Sequence, residues 1–135
     1  MKEIKVQAIP DNLHLVLDFI DSELEASNYP TKKKMQIAIV VEEIFINVAY
    51  YAYFPDTGTV LVRCQVENNP PQITIQFIDS GKPFNPLDKK DPDITLTAEE
   101  RDIGGLGLYM VKKSVDCVNY EYQNEKNILT IKKFL

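Results

Sequence analysis

The chain has 135 residues, of which 44% are hydrophobic and 26% charged, a balance that predicts one globular domain spanning residues 1–135. Its 15 basic and 20 acidic residues give a net charge of −5, which argues against direct nucleic-acid binding and against binding to anionic membranes. The start lacks an apolar signal sequence, and Cys64 and Cys117 belong to no CxxC or Cys/His cluster, so we expect a cytoplasmic protein with reduced thiols.

Hydrophobic periodicity predicts elements in the order β α α β β α β β. After the first strand, Pro10 to Asn12 begin a helix, NYPT ends it, and a second helix runs from about residue 32 to residue 53. A polar, proline-rich segment over 80–103 separates the first predicted hairpin from the last helix and the last hairpin. This order predicts an α+β fold, a two-layer sandwich with helices on one face of a mostly antiparallel, mixed sheet. The predicted strands are KEIKVQA, TVLVRCQVEN, QITIQFID, CVNYEYQ and NILTIKKF.

The second helix contains AIVVEEIFINVAYYAYF, an almost wholly apolar stretch that is interrupted by Glu42, Glu43 and Asn47. These polar residues argue against a membrane span, and a buried carboxylate is costly unless a partner compensates it. Glu43 and Asn47 are four residues apart and share a helix face, where they could hold a divalent cation with Glu43 as proton acceptor. The alternative is that both bond to neighbouring backbone. Glu42 points about 100° away and is expected to be structural or exposed.

The sequence IQFIDSGKPFNP ends a strand at Asp79 and turns at Ser80 and Gly81. Asp79 could accept a hydrogen bond from the amino group of a ring, and Gly81 could let a planar base approach the backbone. The alternative is ordinary Asp-Ser-Gly turn chemistry.

Three glycines open the last helix, in IGGLGLYMVKK. Glycine disfavours a helix interior, so this cluster predicts a helix N-terminus whose free N–H groups bind phosphate. A flexible turn with close packing is the alternative, and the spacing is neither a dinucleotide fingerprint nor a P-loop. The segment at about 86–103, just before the glycines, is expected to be a lid, or else a variable surface loop. The glycines are Gly104, Gly105 and Gly107.

Together, the motifs VEEIFINVAYYAY, IDSGKPFNP and GGLGLYMVKKSVD resemble those of the GHKL superfamily, the ATP-binding (Bergerat) fold of gyrase, the heat-shock 90 chaperone, histidine kinases and MutL. The resemblance covers essentially the whole chain. The single-domain layout and the final hairpin are similar to the anti-sigma-factor serine-protein kinases of bacterial stress and sporulation control.

This resemblance implies ATP and Mg²⁺ as ligands. It implies that Glu43 is the general base, Asn47 the magnesium ligand and Asp79 the adenine-reading carboxylate. Gly81 would lie beneath the base, Gly105 and Gly107 would contact the phosphates, and the helix start at Gly104 would hold the phosphate chain. The chain departs from the family at Tyr51, where histidine is frequent, and Arg101 does not align cleanly with a lid arginine of the family.

The implied function is that of an ATP-dependent protein-serine/threonine kinase. It would phosphorylate an anti-sigma-factor antagonist and also bind a sigma factor, with a homodimer as one option for its assembly. One alternative is a non-catalytic, nucleotide-gated anti-sigma or binding module, in which ATP only sets the conformation. The other is the ATP-binding fragment of a histidine kinase, against which His14 argues because it lacks an adjacent acidic partner.

Overall fold

The computed structural model describes residues 1–26, 29–85 and 105–135. Its strands, numbered along the chain, are β1 (Lys2–Gln7), β2 (Thr59–Asn68), β3 (Pro71–Asp79), β4 (Cys117–Gln123) and β5 (Lys126–Phe134). They form one sheet in the order β1-β2-β3-β5-β4. Every neighbouring pair among these described strands is antiparallel, which confirms the α+β class and leaves no parallel pair in the described part of the sheet.

The helices are α1 (Leu13–Glu25), α2 (Thr31–Asn47) and α3 (Gly105–Ser114). A 3₁₀ turn at Pro10–Asn12 leads into α1, and α2 continues into a π-helical turn at Val48–Ala52, which we call the π turn. The helix predicted over about 32–53 is therefore confirmed to within one residue at each end. It begins after Pro30, whose extended backbone (φ −60°, ψ 141°) stops the helix from extending further towards the N-terminus.

The sheet buries one of its two faces. In β3, alternate residues from Ile73 to Asp79 are buried, whereas the residues between them are half-buried. Side chains alternate between the faces of a strand, so the helices cover the face that carries the buried set. The core residues that the strands supply include Val60, Val62, Cys64, Ile73, Ile75, Phe77, Leu129 and Ile131.

The helical run Thr31–Ala52 is long and apolar enough to cross a membrane by length and composition. The core helix of a soluble protein passes the same test. Here α2 supplies Val40, Val41, Ile44 and Phe45 to the core, whereas Met35 and Ile39 of the same helix are exposed.

The register brings the ends of three strands together. Val60 of β2 pairs with Asp79 of β3, and Asp79 pairs in turn with Asn127 of β5. Residues directly opposite each other in a sheet point to the same face, so Asp79 and Asn127 both face the helix layer. The backbone N–H of Lys82 donates to the carbonyl oxygen of Ala52 at 3.0 Å. The end of α2 with its π turn therefore lies directly against the turn that follows β3.

Candidate functional site

A cleft opens where the end of α2 meets the ends of β3 and β5. Its empty space, including the part open to solvent, is about 560 Å³. Mostly apolar and aromatic walls with a few polar groups are the usual composition of a small-molecule site. The apolar lining residues are Ile44, Val48, Ala52, Phe77 and Leu129, the aromatic ones are Tyr51, Phe84 and Tyr120, and the polar ones are Asn47, Asp79, Lys82 and Asn127.

Asp79 is a buried carboxylate in this cleft, with only 6% of its surface exposed. Its Oδ1 accepts hydrogen bonds from the backbone N–H of Gly81 and from Asn127 Nδ2, both at 2.9 Å. Burial raises the pKa of Asp79, and these two hydrogen bonds oppose that rise. Since both bonds reach Oδ1, Oδ2 is the oxygen that can accept a hydrogen bond from a ligand.

Asn127 is a site residue that sequence reasoning missed. Its Nδ2 donates to Asp79 and also to the carbonyl oxygen of Lys82 at 2.9 Å. Its Oδ1 accepts from the backbone N–H of Phe84 at 3.2 Å and from the Tyr120 hydroxyl. These bonds fix the amide with its nitrogen towards Asp79. A signal was present in NILTIKKF, where the inward-facing positions that follow this asparagine are Leu129 and Ile131, so a polar group at the first inward position required a partner.

Gly81 lies against the backbone of the π turn. A Cβ at this position would be 2.2 Å from the carbonyl oxygen of Ala52, so no larger residue fits without a shift of backbone. The structure thus gives a reason for glycine here that differs from the predicted approach of a planar base. The contact with a base stays a prediction.

Asn47 lines the cleft, and its Nδ2 donates to the backbone carbonyl of Glu43 at 2.7 Å. The backbone bond that the sequence left open as an alternative is therefore present for Asn47. It occupies the amide nitrogen, whereas a hard cation would bind the oxygen Oδ1.

Glu43 is half-buried and is not among the cleft-lining residues in the described part of the chain. Burial raises the pKa of its carboxyl group, and the neighbouring charge of Glu42 raises it further. Glu42 itself is exposed, as expected. The roles of Glu43 as a base and of Asn47 as a metal ligand stay predictions.

The remaining predicted features lie partly outside the described residues. The lid at about 86–103, Arg101 and Gly104 all fall there. The helix α3 begins at Gly105 and includes Gly107, so the last helix does start at the glycines. Phosphate binding by these glycines stays a prediction.

Tyr51, the position at which the sequence departs from the resembling family, lines the cleft and is exposed. Lys82 also lines it, with its ammonium group 5.9 Å from the centre of the Phe54 ring. The sequence carried no signal for Lys82, Phe84 or Tyr120, because their place in the cleft depends on how distant strands pair.

A family model described as "Histidine kinase-like ATPase domain" matches residues 6–133 of the chain. The matched range contains all the predicted site residues, from Glu43 to Gly107, and also Asn127. No curated protein matches the chain.

Proposed function

This chain belongs to the family of histidine kinase-like ATPase domains, and on that premise we propose that it binds Mg-ATP in the cleft and phosphorylates a serine or threonine of a partner protein. The observation that carries the proposal is the arrangement of Asp79. It is a buried carboxylate in an apolar cleft, with one oxygen bonded to the protein and the other left for a ligand.

The apolar and aromatic walls suit a planar base, and Asp79 would select it. A carboxylate oxygen accepts hydrogen bonds, and adenine presents an amino group where guanine presents a carbonyl. An amino group donating to Oδ2 would also offset part of the cost of burying the charge. The site is therefore expected to prefer ATP to GTP.

Asn47 would supply an oxygen ligand to Mg²⁺, which neutralises phosphate charge when it is bound. Mg²⁺ is usually held by one or two protein oxygens together with phosphate oxygens and waters. Within residues 1–26, 29–85 and 105–135, no group of three His, Cys, Asp or Glu side chains could hold a metal ion, so we expect the cation to arrive with the nucleotide. The first N–H groups of α3, near Gly105 and Gly107, would bind the phosphates.

Glu43 would accept the proton of the acceptor hydroxyl. Phosphoryl transfer depends chiefly on positioning and charge neutralisation, with a residue that orients the nucleophile or accepts its proton. The raised pKa of Glu43 brings it closer to neutral pH, which favours a general base. By the resemblance described above, the acceptor would be an anti-sigma-factor antagonist in the cytoplasm, and a sigma factor would be a second partner.

Two observations favour a second candidate function. Glu43 does not line the cleft, and the Asn47 amide is bonded to the backbone. Both facts are compatible with a binding module in which ATP sets the conformation and no phosphoryl group is transferred.

Incubation of the purified protein with radiolabelled ATP, Mg²⁺ and candidate antagonist proteins from the same genome separates these functions. The kinase proposal expects a labelled antagonist with phosphoserine or phosphothreonine. ATP binding by calorimetry without labelling of any candidate would favour the binding module. Absence of ATP binding would overturn both.

A further inference from the structure

Tyr53 follows the π turn, and its hydroxyl group joins the ends of two strands. The hydroxyl donates to the backbone carbonyl of Thr59 at 2.6 Å and accepts from the backbone N–H of Ser80 at 2.8 Å. Thr59 is the first residue of β2, and Ser80 directly follows Asp79 at the end of β3.

The register shows what this hydroxyl replaces. The β2–β3 ladder ends with Val60 opposite Asp79, so one further step would place Thr59 opposite Ser80. In place of a direct N–H to carbonyl bond, the Tyr53 hydroxyl lies between these two groups. The strands separate at this point, and Ser80 is held by a side chain instead of by the sheet.

The Tyr53 ring occupies a slot that depends on Gly58. A Cβ on Gly58 would lie 2.4 Å from Cε1 and Cζ of the ring. The carbonyl oxygen of Gly58 accepts from the backbone N–H of Ala8 at 2.8 Å, so the slot is anchored to the chain just beyond β1. Burial raises the pKa of the Tyr53 phenol and the Asp79 carboxylate raises it further, although the bond from Ser80 opposes them, so the phenol stays protonated and able to donate at neutral pH.

We propose that Tyr53 is a positioning residue for base recognition: by holding Ser80, its hydroxyl sets the orientation of the Asp79 carboxylate in the cleft. The inference rests on the proposed function, because it concerns how Asp79 reads a base. The turn has a second anchor, the bond from Lys82 to Ala52, but that bond lies beyond Gly81. Ser80, the residue next to Asp79, is held by Tyr53.

Tyr53→Phe tests the proposal because it removes the hydroxyl and keeps the ring. Tyr29→Phe is a matched control: the Tyr29 hydroxyl also donates to a backbone carbonyl, that of Glu67 at 3.3 Å, near the opposite end of β2. The affinities for Mg-ATP and Mg-GTP are measured by calorimetry, and the melting temperature is measured without ligand. We expect Tyr53→Phe to weaken ATP binding by about tenfold, the upper range for losing the one hydrogen bond between the base and a misoriented Asp79, and to reduce the ATP-to-GTP preference by a similar factor. Tyr29→Phe should keep the wild-type preference, whatever its melting temperature.

Gly58→Ala provides a second, independent variant, since the added methyl group would displace the Tyr53 ring. It should reduce the ATP-to-GTP preference as Tyr53→Phe does, and the double variant should lose little more than either single variant. If the wild type prefers ATP and both single variants keep that preference, the inference is wrong and the proposed function stands. A parallel loss of ATP and GTP affinity, with the preference unchanged, would show that Tyr53 is only structural. If the wild type binds neither nucleotide, the proposed function fails and this inference fails with it.

Discussion

Asp79 is subject to opposite demands from folding and from ligand binding. Its burial raises the pKa of the carboxyl group, so ionising Asp79 is less favourable in the folded protein without ligand than in the unfolded chain. A base amino group, in contrast, needs the ionised form as its acceptor. The charge that would make the site selective therefore costs stability until a ligand binds.

We expect Asp79→Asn to make the ligand-free protein more stable relative to wild type as the pH rises. Because the pKa is raised on folding, the free energy of unfolding that this group contributes falls as the pH rises from about 4, the unfolded value, through the folded-state pKa. An amide at position 79 does not ionise, so it escapes that loss. Urea unfolding of both proteins between pH 4 and pH 8 measures the difference, which should grow in favour of the variant and then level off. A difference in the free energy of unfolding that does not change with pH would contradict a raised pKa of Asp79 in the folded protein.

Glu43 and Glu42 form a natural pair for separating catalysis from binding. Glu43→Gln keeps size and polarity but removes the base, so phosphoryl transfer should fall by about 10²-fold or more while ATP affinity stays within roughly a few-fold. Glu42→Gln should change neither property, because Glu42 is exposed and points to another side of the helix. Transfer to the partner is followed by gel and affinity by calorimetry. Loss of transfer in Glu42→Gln alone would place the catalytic helix face one residue away from Glu43.

At the scale of elements, Asn127 connects β5 to the segment that follows β3. Its amide bonds to the Asp79 side chain and to the backbone of Lys82 and Phe84, so one side chain holds both the carboxylate and the chain beyond it. Removal of the Asn127 amide would leave several polar groups without a hydrogen-bond partner. Each such group that stays buried and unpaired costs about 1–3 kcal/mol.

Asn127→Ala should therefore lower the free energy of unfolding by about 2–4 kcal/mol, because a few polar groups lose their hydrogen bond to Asn127 and water only partly replaces it. It should also raise the pKa of Asp79 further, because the bond from Asn127 opposes the effect of burial. Asn119→Ala is the control on the neighbouring strand β4, where the side chain is exposed, and should cost roughly 0.5 kcal/mol or less. Urea denaturation compares the two. Equal destabilisation by both substitutions would show that the Asn127 network contributes little.

The elements themselves were predictable from local patterns. The predicted helix over about 32–53 is observed as Thr31–Ala52, and the alternation in QITIQFID correctly indicated a strand with one buried face. The order of the strands was not predictable, because β5 lies between β3 and β4 and only non-local pairing decides this. The contact of Asn127 with Asp79 spans 48 residues and follows from that pairing. Glu43 shows the same limit, since a helix wheel gives its face but not the distance of that face from the cleft.

At the scale of the whole molecule, the cleft is built from three segments that are distant in the sequence. The end of α2 supplies Asn47, the end of β3 supplies Asp79, and the last hairpin supplies Asn127. Because each contributes to both the core and the cleft, a ligand that contacts all three connects the helix layer to the end of the sheet. Ligand binding should therefore be detectable as global stabilisation.

Mg-ATP should raise the thermal stability of the whole domain. A ligand that binds only the folded state at 100 times its dissociation constant adds about 2.7 kcal/mol. For a chain of this size, that gain corresponds to a rise in melting temperature of roughly 10 °C. Differential scanning fluorimetry at millimolar Mg-ATP measures the melting temperature. An unchanged melting curve would contradict the proposal that the protein binds the nucleotide.

Two variants assign that stabilisation to parts of the ligand. Asp79→Asn presents an amide to the base edge, so its gain with Mg-ATP should be much smaller than that of the wild type. Asn47→Ala removes the proposed metal ligand, so it should lose the part of the gain that depends on Mg²⁺ and keep the gain seen with ATP and a chelator. The decisive number is therefore the ratio of the rise in melting temperature with Mg-ATP to the rise with ATP and a chelator. We expect this ratio to be near the wild-type value in Asp79→Asn and near one in Asn47→Ala. If Asn47→Ala keeps the wild-type ratio, the bond from its Nδ2 to the Glu43 carbonyl is the whole role of Asn47, and the cation must be bound elsewhere.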